Sequence, residues 1–190
     1  MENLRARDFR RMGHETCKPY AGTLALITLV YLILVAVVAY IPLGALICTG
    51  PFTLSYIIII KKAYSKETPE FGQLFSGFSK FVEAFLTYLI ETIFLFLWFL
   101  LLIIPGIIKS YSYAMTFYIL EDEGIAYTEA ITKSRQMMNG YKWRLFCLHL
   151  SYIGWIILCI LTLGILYLWV GPRMTAADYN FYLKLKENNK

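Results

Sequence analysis

Two charged residues stand deep inside apolar runs of this chain, Glu91 and Arg173. At about 1.5 Å per helical residue, Glu91 lies roughly 15 Å beyond Phe81, and Arg173 roughly 13 to 14 Å from Gly164. Both depths fall near the middle of a hydrocarbon layer about 30 Å thick. A lone charge there costs on the order of 2.5 to 3.5 kcal/mol, so each residue is expected to face a bundle interior, paired or beside a wet cavity. The pair is expected to meet. Its structural readings are an ion pair, or a neutral Glu91 bonded to a neighbouring helix. In the functional reading Arg173 receives an anionic headgroup or a substrate carboxylate.

Two helix breaks accompany them. Gly50-Pro51 follows Gly44, and Gly171-Pro172 follows Gly164 at nearly the same offset. A proline inside a helix removes one backbone bond, here orphaning the carbonyls of Ile47 and Leu168. In a membrane such groups need new partners, so paired breaks at matching depths either kink their helices or mark binding positions. The candidate ligand-binding set is therefore Glu91, Arg173, Gly50, Pro51, Gly171 and Pro172.

Other chemistry finds no support in the residues. Cys17, Cys48, Cys147 and Cys159 contain no CxxC and no His at metal-ligand spacing, and His14 and His149 are isolated. No Ser-His-Asp set, phosphate-binding glycine loop or metal-ligand cluster is present. No enzyme activity, cofactor or metal is expected.

The elements that must position these residues are membrane helices. The chain has 190 residues, 58% hydrophobic and only 16% charged, against roughly 25% charged in an ordinary soluble domain. From Phe81 to Leu120 the charges are Glu83, Glu91 and Lys109, and the run breaks at Ile104-Pro105-Gly106. That block is long enough for two crossings with a turn between them. The same design flanks it: Tyr20 to Ile41, a break at Pro42-Leu43-Gly44, then Ala45 to Ile60; and Leu145 to Leu161, a turn at Thr162-Leu163-Gly164, then Ile165 to Leu183.

The fold class read from this pattern is all-α. It is a polytopic membrane bundle of six transmembrane helices in three in-out-in hairpins, 20–60, 81–120 and 145–183, forming a single domain. The leader 1–19 carries Arg5, Arg7, Arg10, Arg11 and Lys18, and the loop 61–80 carries Lys61, Lys62, Lys66 and Lys80. Basic ends of this kind place both termini in the cytoplasm. A competing single span from Leu145 to Val170 puts Arg173 and the C-terminal lysines on the wrong side. A signal peptide cleaved near Val37-Val38-Ala39 is disfavoured by the length of the apolar run. The net charge of +5 sits at span ends with no base-reading motif, so nucleic acid is not an expected partner.

Within the loop 121–144, residues 125–144 read as an amphipathic helix. Tyr127, Ala130, Ile131, Ser134, Met137, Met138 and Tyr141 share one side, and Asn139-Gly140 closes it. Glu129 and Lys133 form an i,i+4 pair. Its bland role is an interfacial connector; its functional role is a partner-docking surface through Arg135, Met137 and Met138.

From Ala130 onward, Ala130-Ile131, Ser134-Arg135, Met138, Gly140, Lys142, Leu145-Phe146, Leu150 to Trp155, Thr162 to Ile165, Pro172, Ala176 and Phe181-Tyr182 carry a resemblance. With Leu74 to Phe78 and Ile104 to Ile107, they make the chain similar to the bacterial integral membrane family called domain of unknown function nine-seven-five. That family is distantly similar to membrane domains attached to some glycerophosphodiester phosphodiesterases. The resemblance implies a multi-spanning protein of the bacterial plasma membrane in a lipid-related setting, and brings no catalytic residues with it.

The expected function is binding, of a membrane partner or an amphiphilic or lipid ligand between the hairpins. The alternative is a small transporter or lipid-translocating protein using the broken helices 2 and 6 with Glu91 and Arg173. Expected partners are the lipid bilayer and a membrane protein or a second copy of the chain.

Overall fold

The computed structural model describes residues 4–41 and 43–188, so Pro42 lies outside the described residues. These are mainly helical, with no strand among them. The helices are α1 (Ala6–Cys17), α2 (Ala21–Ala39), α3 (Gly44–Tyr64), α4 (Phe81–Leu101), α5 (Ile103–Tyr113), α6 (Thr116–Glu123), α7 (Tyr127–Met137), α8 (Lys142–Leu150), α9 (Ile153–Leu161) and α10 (Tyr167–Asn188). A 3-10 segment, Phe71–Lys80, leads into α4.

Four helical runs among the described residues are long and apolar enough to cross a membrane: Ala6–Ala39, Gly44–Tyr64, Phe71–Leu101 and Lys142–Leu161. The two remaining arms of the expected six fall short for different reasons. One is broken between α5 and α6 at Ala114-Met115. The other, α10, carries Arg173, Asp178, Asn180, Lys184 and Lys186. Large apolar side chains lie bare around the turns, among them Leu43, the run from Leu100 to Ile104, and Ile160, Leu161 and Leu163 at the end of α9. Water offers such a surface no partner, and lipid does. Lys109 rests over the Trp98 ring at 4.3 Å, joining α5 to α4.

The core sits at the opposite end. There α1 is a docked helix, whereas the sequence suggests only a polar leader: Phe9, Gly13 and Cys17 are buried against α10, and the Phe9 and Phe181 rings lie 5.0 Å apart. The acidic run Glu121-Asp122-Glu123 gathers lysines from four segments. Lys61 reaches Glu121 at 3.3 Å and Asp122 at 3.4 Å, and Lys80 reaches Glu121 at 3.7 Å. Lys186 pairs with Asp122 and lies 3.7 Å from Glu123, while Lys133 pairs with Glu123. Lys133 is thus held by α6 rather than by Glu129 as the i,i+4 spacing suggests. The network brings the ends of α3, α6 and α10 and the start of α4 to one side of the molecule.

The amphipathic helix exists as α7, and Gly140 adopts the positive φ of 79° that its turn requires. It does not lie free at an interface. Its apolar face packs on α4, α5 and α6, burying Ala130, Ile131, Ser134 and Met137. Ser134 closes the α5–α6 break: its hydroxyl donates to the Ser112 carbonyl at 2.9 Å and accepts from the Met115 amide at 3.1 Å. Those backbone groups would otherwise be buried without partners.

Candidate functional site: a cationic cleft beside the proline turn of α10

Arg7, Arg10, Arg11 and His14 recur along α1 at spacings of three and four, so they share one face. The opposite face buries Phe9 and Gly13, which turns the basic face toward the junction of α8, α9 and α10. There Arg7, Arg10, Arg11, His14, Tyr152, Trp155, Val170 and Arg173 line a cleft of about 260 Å³. Gly13 permits the close approach, since a Cβ on it would lie 2.5 Å from the Arg173 carbonyl oxygen. Arg10 donates to the Ser151 carbonyl at 2.9 Å, and the buried Tyr152 hydroxyl donates to the Arg173 carbonyl at 3.5 Å.

Four guanidiniums thus border one cleft, and Arg11 has the Glu15 carboxylate 3.7 Å away. Among the described residues Arg7 and Arg173 have no carboxylate partner. Guanidiniums bind carboxylate and phosphate oxygens through paired N–H donors, so the arrangement suits an anion. One wall continues into the exposed apolar surface of α9, with Ile153, Trp155, Ile156 and Ile157. The cleft can therefore take a charged head and leave an apolar tail along α9.

The expected meeting of Glu91 and Arg173 does not occur. α4 packs on α3, α5 and α7, whereas α10 packs on α1, α2 and α3. The Glu91 Oε2 atom is buried without a hydrogen-bond partner, and Arg173 stands among arginines. The two Gly-Pro steps do not break their helices as the sequence suggests, since α3 and α10 run on through Pro51 and Pro172, and their surroundings differ. Gly50 fits against α4, where a Cβ would lie 2.4 Å from the Ala84 carbonyl oxygen. Gly77 of the 3-10 segment covers Pro51: its amide donates to the Ser55 hydroxyl at 2.9 Å, which donates to the Pro51 carbonyl at 2.9 Å. Gly50 and Pro51 are filled by the chain itself. Gly171 and Pro172 are buried too, but the turn they occupy carries Val170 and Arg173 into the cleft.

Met137 and Met138 are buried in the chain's own core and present no docking surface, while Arg135 remains exposed. His149, isolated in sequence, lies 3.1 Å from Asp178 and joins α8 to α10. The arginines of α1 are the functional candidates that the sequence reading passed over. They read as a topology signal, although their spacing of three, one and three marked a shared helix face.

The fold and cleft define an all-helical protein with several helices apolar enough to span a membrane. Residues 99–189 match the family model described as Protein of unknown function (DUF975), the family that the sequence resembles. The match runs from late α4 through α10; it includes Arg173 but neither Glu91 nor the arginines of α1. No curated protein and no solved structure matches the chain.

Proposed function

We propose that this protein is a non-enzymatic, multi-spanning membrane protein that binds the anionic headgroup of an amphiphile in the arginine cleft. The observation that carries this reading is the convergence of Arg7, Arg10, Arg11 and Arg173 on one cleft beside bare apolar surface. The setting proposed is the bacterial cytoplasmic membrane, with the bilayer itself as the first partner. In the full topology the broken α5–α6 arm and α10 also cross, giving six passes with both termini cytoplasmic. The lysine clamp on Glu121 to Glu123 supports this, because it gathers the ends of both return arms beside Lys61 and Lys80. Basic residues concentrated at that end match the side on which positive charge is retained. On this reading the cleft faces the inner leaflet.

Lipid retained by the purified protein tests the function. Wild type should carry anionic phospholipid above its share of the host membrane, and the double variant Arg7→Gln/Arg173→Gln should carry the bulk composition. Equal lipid profiles would remove the reading. Labelling of single cysteines introduced at Gly164 and Glu187 in intact cells tests the topology: modification at 164 and protection at 187 are expected.

The transporter reading keeps one specific support. The proline turn of α10 borders two cavities, with Val170 and Arg173 on one and Tyr167 and Thr175 on the other. A proline-bearing helix between two chambers is the kind of element that alternating access employs.

A further inference from the structure

The second of those cavities has a chemistry of its own. It occupies about 270 Å³ between α2, α3, α6 and α10. One water takes about 30 Å³ of liquid, so the space exceeds that of a single trapped solvent molecule. Its polar lining is made of hydroxyls: Thr28 and Tyr31 from α2, Thr53 and Tyr56 from α3, Tyr118 from α6, Tyr167 and Thr175 from α10. Among the described residues no charged side chain lines it.

The hydrogen bonds already made there fix what the wall still offers. Thr28 donates to the Leu24 carbonyl at 2.7 Å, so in its 2.9 Å contact with Tyr56 the tyrosine must be the donor. Thr175 donates to the Gly171 carbonyl at 3.3 Å. A hydroxyl has one proton and two lone pairs. The protons of Thr28, Tyr56 and Thr175 are therefore spent within the protein, and their oxygens are left to the chamber as acceptors. An occupant with donors of its own meets three acceptors there. An uncharged occupant suits the chamber, because an ion in a low-dielectric site without a counter-charge is heavily penalised.

We infer that this chamber is a second ligand site, for an uncharged polyhydroxylated small molecule between glycerol and inositol in size. Tyr167, an exposed side chain, is part of its lining. The site is independent of the arginine cleft, since the two face different sides of α10. A tyrosine-rich cage also suits an organic cation through ring faces, and that is the rival occupant to be tested.

The test is saturation-transfer NMR on the protein in nanodiscs, with glycerol, xylitol and myo-inositol as probes and choline and ethylammonium as charged comparators. Polyol signals are expected to exceed those of the cations. They should fall at least fivefold in Thr53→Val/Thr175→Val, which removes two hydroxyls while keeping side-chain shape. Tyr167→Phe, at an exposed position that threatens no core packing, should also reduce them, and Arg173→Gln should leave them unchanged. Polyol signals absent from wild type, equal in the hydroxyl variants, or displaced by choline would each overturn the inference.

Discussion

Gly13 lies against the backbone of Arg173 so closely that a Cβ on it would meet the Arg173 carbonyl oxygen at 2.5 Å and the Ala177 amide nitrogen at 2.8 Å. This contact seats α1 on α10 and sets the distance between the arginines of the two helices. Gly13 is needed for closeness, since its backbone is ordinary helix.

Gly13→Val should therefore push α1 off α10. Overpacking of this kind costs about 1–3 kcal/mol, and thermal unfolding in detergent should show it. Anionic-lipid binding should fall with it, because the cleft loses one wall. Gly22→Val is the control: nothing lies within 4 Å of a Cβ there, and neither quantity should change.

Asp122 holds the lysine clamp together, accepting from Tyr182 at 3.2 Å and pairing with Lys186 and Lys61. Burial raises its pKa, but the hydrogen bond and charge of Lys186, with Lys61 behind them, outweigh burial and hold the carboxyl below its usual range. A depressed native pKa means that stability is present above the unfolded-state value and is lost as pH falls through the native one. Asp122→Asn should destabilise the protein by up to about 1 kcal/mol at pH 7, the range for solvent-accessible ion pairs. The gap from wild type should shrink as the pH drops below about 4. Unfolding midpoints across that range measure both effects.

Ser134→Ala would leave the Ser112 carbonyl and Met115 amide without their side-chain partner at the α5–α6 break. An unsatisfied buried polar group costs about 1–3 kcal/mol. The loss should appear as earlier thermal unfolding, and Ser134→Thr should recover part of it by keeping the hydroxyl.

Glu91 and Arg173 occupy different parts of the bundle, so exchanging their charges should not help. Glu91→Arg should fold poorly, and Glu91→Arg/Arg173→Glu should fold no better. Glu91→Gln, which keeps the shape and removes the ionisable proton, should accumulate as wild type does. Folded yield by size-exclusion chromatography is the readout.

Features that repeat along the chain were legible in the sequence. The apolar runs, the turns near Leu43 and Gly164, and the amphipathic pattern around α7 all follow from local composition and period, whereas the middle break expected at Ile104-Pro105-Gly106 falls at Leu102, with those three residues in the first turn of α5. What escaped depends on which helices meet. Depth alone suggested that Glu91 should pair with Arg173, because depth counts distance along one axis and carries no information about neighbours. Arg7, Arg10 and Arg11 looked like a leader because their docking rests on Gly13 fitting Arg173 and Ala177, a contact between opposite ends of the chain. Met137 and Met138 looked available because an amphipathic face reads the same whether it covers lipid, a partner or the chain itself. The α5–α6 break carries no proline, and its stabilising partner, Ser134, lies in another helix.

If the arginine cleft binds anionic headgroups, an equilibrium titration will separate two lipids that differ in headgroup charge. Short-chain phosphatidate and phosphatidylcholine with identical tails are titrated into detergent-solubilised protein, following the fluorescence of Trp155 in a variant with the other tryptophans replaced by Phe. The predicted result is at least tenfold tighter binding of phosphatidate, about 1.4 kcal/mol, weakening with added salt and abolished in Arg7→Gln/Arg173→Gln. Equal affinity for the two lipids, or a preference that survives the double variant, would contradict the account.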